Sequence, residues 1–132
     1  MECPKCKAPM IVLELAAVEI DYCNACHGTW LDGGELELLL ESAHNRDEMM
    51  ATLAKEVTGR ERHLSCPICE KRMDKVRFGL AADAAVRLDK CHNDHGIWFD
   101  EGELDEALRM GRYLEGGKIY ELLSDVFGRK GN

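Results

Sequence analysis

Seven cysteines at regular spacings constrain what this 132-residue chain can fold into. The first two Cys-x2-Cys pairs are separated by sixteen residues, and a third pair is followed by a single cysteine after twenty-one more. An odd number of cysteines cannot be paired fully into disulfides. Two such pairs can instead aim four thiolates at one tetrahedral zinc ion, with Zn–S distances of about 2.3 Å. The cysteines are Cys3, Cys6, Cys23, Cys26, Cys66, Cys69 and Cys91.

Other uses of clustered cysteines fit the pattern less well. A thioredoxin-like redox pair needs a βαβ context, which the hydrophobic pattern does not indicate. A zinc deaminase needs His-x-Glu ahead of its cysteine pair, and no histidine here is followed two positions later by a glutamate. Iron suits a four-thiolate site chemically, but this spacing is most typical of structural zinc. We therefore predict two structural Zn²⁺ ions as the cofactors.

The chain contains two copies of one unit, repeat 1 at residues 1–45 and repeat 2 at residues 64–112. Cys3 and Cys66 are 63 positions apart, whereas Trp30 and Trp98 are 68 positions apart. Seven of the ten residues from position 27 to position 36 recur 68 positions later. Such self-similarity indicates a duplicated structural unit, with five extra residues between the cysteine pairs of repeat 2.

Each repeat is predicted to contain a hairpin between its cysteine pairs and a short helix after them. Residues 10–15 and 18–22 read as two short strands. Apolar residues alternate with charged ones over 18–22, as in a half-buried strand, and again around Val76 and Val86. Asp32 with Glu35, and equally Asp100 with Glu103, has the spacing of a helix capping box, which explains these carboxylates without a substrate. The predicted fold class is a small metal-bound α+β protein made of two tandem zinc ribbons, each followed by short amphipathic helices.

Two further helices are predicted outside the repeats. Asn45 and Glu48 have capping-box spacing, and an apolar stripe follows and stops at Gly59, so 46–63 is interpreted as a helical linker. A second apolar stripe predicts a C-terminal helix within 113–132. Such stripes are ordinarily core, although a dimer or partner face has the same pattern. The stripes contain Met49, Met50, Leu53, Ala54 and Val57, and Ile119, Leu122, Leu123, Val126 and Phe127.

The motif Cys-Pro-x-Cys, hairpin, Cys-x2-Cys-x-Gly-x-Trp-Leu-Asp-x-Gly-Glu-Leu resembles the bacterial TFIIB-type zinc-ribbon (transcription factor zinc-finger) family. In repeat 1 it lies at 3–6 and 23–36, and in repeat 2 at 66–69 and 95–104. The resemblance covers about two thirds of the chain. It implies zinc binding and a ribbon fold in two tandem copies, and its name suggests transcription.

The fourth ligand of the second site is ambiguous from the residues alone. Direct register places Asp94 opposite Cys26, and His95 follows one position later. Structural zinc sites strongly favour cysteine and histidine over carboxylates, and the resemblance implies a Cys-x3-His arrangement, so we expect His95. His92 would strain the turn because it adjoins Cys91. If none of them bound, a water could fill the fourth position as in a catalytic zinc site.

The net charge of the chain indicates which class of partner it can bind. The chain has 17 basic and 25 acidic residues, a net charge of −8; a four-thiolate zinc site adds −2 and a three-thiolate site −1, which makes about −11. Such a protein is a poor ligand for a phosphate backbone, although residues 71–90 carry a net +3.

We expect a non-enzymatic, cytoplasmic module that binds a protein partner, and the resemblance suggests an association with transcription. No membrane and no small-molecule substrate is expected. Single-stranded nucleic-acid binding through the basic hairpin 71–90, with Trp30 and Trp98 as stacking platforms, is one alternative. These tryptophans could equally pack over the metal knuckles, which is the reading we favour. A catalytic zinc at the second site is the other alternative.

Overall fold

A computed structural model describes residues 1–15, 17–40, 46–55, 63–79 and 85–110. These residues form one seven-stranded sheet with antiparallel pairing throughout, in the order β1-β2-β3-β7-β6-β5-β4, and three short helices. This confirms the predicted small α+β class. The elements are β1 (Ile11–Leu15), β2 (Val18–Tyr22), β3 (Thr29–Asp32), α1 (Glu35–Leu39), α2 (Arg46–Ala51), β4 (Ala54–Lys55), β5 (Asp74–Phe78), β6 (Val86–Lys90), β7 (Gly96–Phe99) and α3 (Glu103–Met110).

The two hairpins form where alternation of apolar and charged residues predicts them. In repeat 1, β1 pairs with β2 from Ile11↔Tyr22 to Leu15↔Val18. In repeat 2, β5 pairs with β6 and ends at Phe78↔Val86. Because side chains alternate across a strand, most apolar residues of both hairpins point to one face of the sheet, and most of the charged ones, together with Val12, point to the other.

The two repeats are joined through their third strands, a pairing that the sequence pattern did not predict. Strand β3 pairs with β7 antiparallel, and Trp30 lies directly opposite Trp98. The arrangement approximates a two-fold axis between the tryptophans. Each tryptophan ring lies against a glycine of the other repeat: an added Cβ at Gly28 would lie 2.2 Å from Trp98 Cζ2, and one at Gly96 would lie 2.5 Å from Trp30 Cζ2. Glycine therefore permits the close approach of the repeats.

The sheet separates two cores. The helix face is covered by the three helices over aliphatic and aromatic residues from both repeats. The metal face carries a smaller core that combines buried cysteines with aromatic and methionine side chains. The buried members of that core are Cys3, Cys23, Trp30, Cys66, Met73, Cys91 and Trp98.

The helices after each ribbon begin with half of the predicted capping box. The Asp32 amide donates to Glu35 Oε1 at 2.7 Å, and the Asp100 amide donates to Glu103 Oε1 at 2.7 Å. The aspartate side chains do not cap the helices and accept hydrogen bonds from tryptophans instead. Desolvation and neighbouring carboxylates raise the pKa of Glu35 to about 7 and that of Glu103 to about 7. The apolar stripes that follow are buried as predicted: Leu36, Leu39, Leu40, Leu104, Ala107 and Leu108.

The linker differs from the prediction of one continuous helix. Helix α2 ends at Ala51, and the short strand β4 pairs with β5. Thr52 ends the helix because its hydroxyl donates to Met49 O at 2.6 Å and accepts from the Gly79 amide at 2.9 Å. Pairing with the second hairpin thus overrides the helical spacing.

Several predicted features fall on positions outside the described residues. They are Asn45, Val57, the stop at Gly59, the C-terminal helix within 113–132, and Ala43, the last apolar position predicted for the helix that follows the ribbon of repeat 1. The domain boundaries 1–45, 46–63, 64–112 and 113–132 stay predictions. Within the described ranges, none of the helices has the length and apolar character needed to span a bilayer.

We predict that Gly28→Ala destabilises the zinc-loaded protein by about 1–3 kcal/mol, because the methyl group would overlap the Trp98 ring and force repacking. Guanidinium unfolding followed by tryptophan fluorescence measures the change.

Gly34→Ala is the matched control, since nothing lies within 4 Å of its added Cβ and its cost comes only from a φ of +92°. A free energy of unfolding unchanged in Gly28→Ala would contradict the packing of Trp98 on Gly28.

Candidate metal centres

Four cysteines of repeat 1 converge at one point, which we call site 1. Their sulfur atoms all lie within 4.8 Å of one another. The Sγ atoms of Cys3 and Cys26 are 3.6 Å apart, and those of Cys6 and Cys23 are 3.3 Å apart. Each Cys-x2-Cys pair lies at an end of the repeat's hairpin, so the fold of the ribbon brings the two pairs together.

Tight turns aim the sulfur atoms inward. The amides of Lys5 and Cys6 both point at Cys3 Sγ, at 3.3 and 3.4 Å. Each turn closes with a residue of positive φ that donates its amide to the carbonyl of the first cysteine, as Lys7 does to Cys3 O at 2.9 Å. His27 and Glu70 close their turns in the same way. This geometry repeats in three knuckles and follows from the Cys-x2-Cys spacing.

Site 2 is formed in repeat 2 by Cys66, Cys69, Cys91 and His95, whose ligand atoms also lie within 4.8 Å of one another. His95 Nδ1 is 3.5 Å from Cys91 Sγ and 3.9 Å from Cys66 Sγ, and the Sγ atoms of Cys69 and Cys91 are 3.7 Å apart. The structure therefore brings all eight residues predicted as metal ligands into two clusters of four.

The competing candidates for the fourth position point elsewhere. The Asp94 carboxylate is 80% exposed and pairs with Lys90 Nζ. This lysine lowers the pKa of Asp94 through a hydrogen bond and its charge. The His92 ring is 74% exposed, with Nδ1 3.4 Å from Asp74 Oδ2. The arrangement of site 2 thus favours His95 over Asp94 and over a water-filled position.

A shift of one residue in the turn explains why equivalent histidines differ. In repeat 1 the positive φ falls on His27, whereas in repeat 2 it falls on Asp94, one position earlier in register. Both knuckles nevertheless end with the same hydrogen bond: the Cys23 amide donates to Gly28 O at 2.9 Å, and the Cys91 amide donates to Gly96 O at 3.0 Å. The earlier turn leaves His95 facing the sulfurs, while His27 Nδ1 lies 2.7 Å from Tyr22 Oη.

Burial and hydrogen bonds from backbone amides shift the pKa values of several thiols in the two clusters. Burial raises the pKa of the Cys26 thiol to about 12 and that of the Cys66 thiol to about 11. The Lys71 amide, as the largest influence, lowers the pKa of Cys69 to about 6. Burial opposes ionisation of Cys23, but amide and sulfur donors outweigh it and lower its pKa to about 7. A divalent cation among the sulfurs would favour the thiolate form of all of them.

The donor sets fit tetrahedral zinc. Zn–S bonds of about 2.3 Å and Zn–N bonds of about 2.0–2.1 Å place tetrahedral ligand atoms about 3.8 Å apart for two sulfurs and about 3.6 Å apart for sulfur and nitrogen. The distances from His95 Nδ1 to Cys91 Sγ, 3.5 Å, and from Cys69 Sγ to Cys91 Sγ, 3.7 Å, lie close to these values. The two clusters are compatible with two structural zinc ions, which the thiolates and the imidazole would hold.

Buried tryptophans shield both clusters. Trp30 and Trp98 are each 0% exposed. Trp30 Nε1 donates to Asp32 Oδ1 at 2.9 Å, and Trp98 Nε1 donates to Asp100 Oδ1 at 3.1 Å. This burial agrees with the packing interpretation and leaves neither ring open for base stacking.

Three kinds of supporting feature were not predicted from the sequence. The tryptophan–aspartate bonds were overlooked because capping already accounted for both aspartates, although the recurring Trp-x-Asp was a usable signal. The buried Met73 of the metal-face core had no periodic signal. Lys5 Nζ of repeat 1 lies 3.4 Å from Asp100 Oδ1 of repeat 2, a contact that depends on the unpredicted pairing of β3 with β7.

Comparison with known proteins agrees with this geometry. The family model described as "Transcription factor zinc-finger", a TFIIB-type zinc ribbon, matches residues 2–42 and again residues 65–110. Each match contains one four-residue cluster. No curated protein and no solved structure matches the chain.

We predict that zinc removal by a strong chelator unfolds both ribbons. Structural zinc contributes an apparent binding energy of roughly 10–16 kcal/mol per site, which is comparable to the whole stability of a small domain, about 5–15 kcal/mol. Far-UV circular dichroism and tryptophan emission should both change to those of an unfolded chain, and re-addition of zinc should restore them. Native spectra after verified zinc removal would be inconsistent with a structural role.

We also predict that His95→Ala weakens zinc binding at site 2 by more than the roughly 10–100-fold typical of losing an outer-shell partner. Competition with a chromogenic chelator measures the affinity. His27→Ala and Asp94→Asn are the controls, and both should bind two zinc ions as the wild type does. Normal affinity in His95→Ala, together with loss in Asp94→Asn, would assign the ligand to Asp94.

Proposed function

We propose that the protein acts as a zinc-stabilised binding module, and its family membership is the starting point of this proposal. The chain belongs to the transcription factor zinc-finger family and carries two tandem copies of its TFIIB-type zinc ribbon. Domains of this kind are typically structural or binding domains. We infer that the protein is a non-enzymatic, cytoplasmic and transcription-associated module in which zinc stabilises a scaffold that binds another protein.

The observation that carries this proposal is the exposed edge of the sheet in repeat 1. Strand β1 lies at one end of the strand order. Ile11 is 46% exposed and Val12 is 59% exposed. Met1, whose carbonyl oxygen accepts from the Met10 amide just before β1, is 50% exposed. Edge strands with exposed apolar side chains are suited to pairing with an extended segment of another protein.

Charge indicates which segment this edge would take. Repeat 1 has 2 basic and 8 acidic residues, and Glu14 and Glu19 lie exposed on the hairpin that contains β1. A partner segment that is extended, partly apolar and basic would complement the edge in both respects.

The site chemistry supports a non-catalytic role. Catalytic zinc keeps an open coordination position for water or substrate. In both clusters four side-chain donor atoms converge, which is the pattern of a closed structural site. Nucleic-acid binding through Arg77 and Arg87, both exposed, is the second candidate, and the burial of Trp30 and Trp98 supports it less.

A photo-crosslinking experiment tests the proposed edge. The photoreactive residue p-benzoylphenylalanine replaces Ile11 in the zinc-loaded protein, and in a control it replaces Glu106, which is exposed on α3. We expect an adduct with another protein from Ile11 only, at a basic extended segment identified by mass spectrometry. A synthetic peptide of that segment should bind the purified protein, and Val12→Glu should weaken this binding at least tenfold.

Equal adduct yields from both positions would contradict partner binding at the β1 edge. Peptide binding with the same affinity in Val12→Glu as in the wild type would also contradict it. Salt-sensitive binding of labelled single-stranded RNA or DNA, lost on charge reversal of Arg77 and Arg87, would instead favour the nucleic-acid candidate.

A further inference from the structure

The two hairpins carry opposite charges at equivalent positions. The offset between repeats is 63 residues before the hairpin turn and 68 after it, so Glu14 corresponds to Arg77 and Glu19 to Arg87. All four side chains are exposed. The duplicated unit therefore ends in an acidic tip in repeat 1 and a basic tip in repeat 2.

Within each tip the like charges lie directly across from each other. Glu14 pairs in register with Glu19, and Arg77 pairs in register with Arg87. Like charges at directly opposed positions destabilise a strand pair. Each hairpin thus has two like charges in directly opposed positions next to its turn, and the charges of the two hairpins have opposite sign.

Both pairs project on the same side of the sheet. Arg77 and Arg87 alternate with apolar residues that point to the helix face, and so do Glu14 and Glu19. By alternation, all four charged side chains project on the metal-face side. The two tips lie in the hairpins β1-β2 and β6-β5, on either side of the central β3-β7 pair, and the short strand β4 lies outside β5. This separation lets both tips reach another molecule.

A second difference between the repeats makes the complementarity stronger. In repeat 2, Lys75 Nζ lies 2.7 Å from Asp89 Oδ1, and the two charges balance. The corresponding residues of repeat 1 are Val12 and Asp21, so the aspartate remains but the lysine is replaced by a valine that is 59% exposed. The acidic tip therefore adds a third carboxylate and an apolar contact surface.

From these observations we propose that the chain associates with a second molecule of itself, the acidic tip of one molecule binding the basic tip of the other. Arginine suits this contact because its guanidinium has five donors that can reach more than one carboxylate. Arg77 and Arg87 also interact within their own chain, and both side chains are exposed to a second molecule. The aliphatic parts of these arginines would cover Val12.

This association uses Val12 and the acidic tip, which the proposed function also uses, but its test needs only the purified chain, so failure of one test does not decide the other. Sedimentation velocity of the zinc-loaded wild type over a concentration series should show self-association at low salt. The dissociation constant should rise at least tenfold at high salt, because exposed charge pairs are screened.

Charge exchange provides the decisive comparison. Glu14→Arg with Glu19→Arg should abolish self-association, and so should Arg77→Glu with Arg87→Glu. Combining all four substitutions exchanges the tips and should restore it, and so should mixing the two double variants in equal amounts. The matched controls alter net charge equally at other exposed positions and should associate as the wild type does: Glu2→Arg with Glu37→Arg, and Lys71→Glu with Arg72→Glu.

A wild type that is monomeric at low salt would overturn the proposal, and so would association that survives either double variant. Failure of the fourfold exchange to restore association, in protein with native circular dichroism and two bound zinc ions, would also overturn it. Binding of a labelled oligonucleotide by the basic tip, while the protein stays monomeric, would assign Arg77 and Arg87 to nucleic acid instead.

Discussion

Coordination of zinc by thiolates and one imidazole is the interaction on which the rest of this structure depends. Each ribbon has about 35–45 residues, a size at which an apolar core alone rarely suffices. Each cluster joins the start of the first strand of its hairpin to the end of the second strand. Trp30 and Trp98 pack over the clusters, and their indole nitrogens donate hydrogen bonds to aspartates. The metal-face core is therefore organised around the ligands, and the helix-face core forms on the sheet that they hold together.

Duplication turns two marginal ribbons into one sheet. Pairing of β3 with β7 places each tryptophan on a glycine of the other repeat, so that each ribbon covers the other's metal knuckle. The helix-face core likewise draws its buried residues from both repeats. The two zinc sites are thus coupled through packing, whereas the hairpins of the two repeats have diverged in charge.

Much of this organisation could be predicted from residue spacing, and the remainder has identifiable physical reasons. The hairpins and the two clusters follow from alternation and from Cys-x2-Cys spacing, which act locally. Strands β3 and β7 were missed because four-residue strands buried on both faces show no alternation. Their pairing is a long-range contact that only tertiary packing decides.

The fourth ligand of site 2 illustrates the same limit at a single residue. Register favoured Asp94 and chemistry favoured His95, and the structure separates them by moving the positive φ one position earlier than in repeat 1. Spacing alone does not determine where a turn reverses. In the linker, hydrogen bonds of Thr52 and pairing with β5 shorten a helix that the apolar stripe had predicted to continue.

The most direct test of this account is the mass of the intact, freshly purified and reduced protein measured under non-denaturing conditions. If two metal clusters organise the chain, the folded protein has the mass of the polypeptide plus two zinc ions, and species with fewer ions show the broad charge distribution of unfolded chains. A compact, folded protein carrying one zinc ion or none would contradict the account.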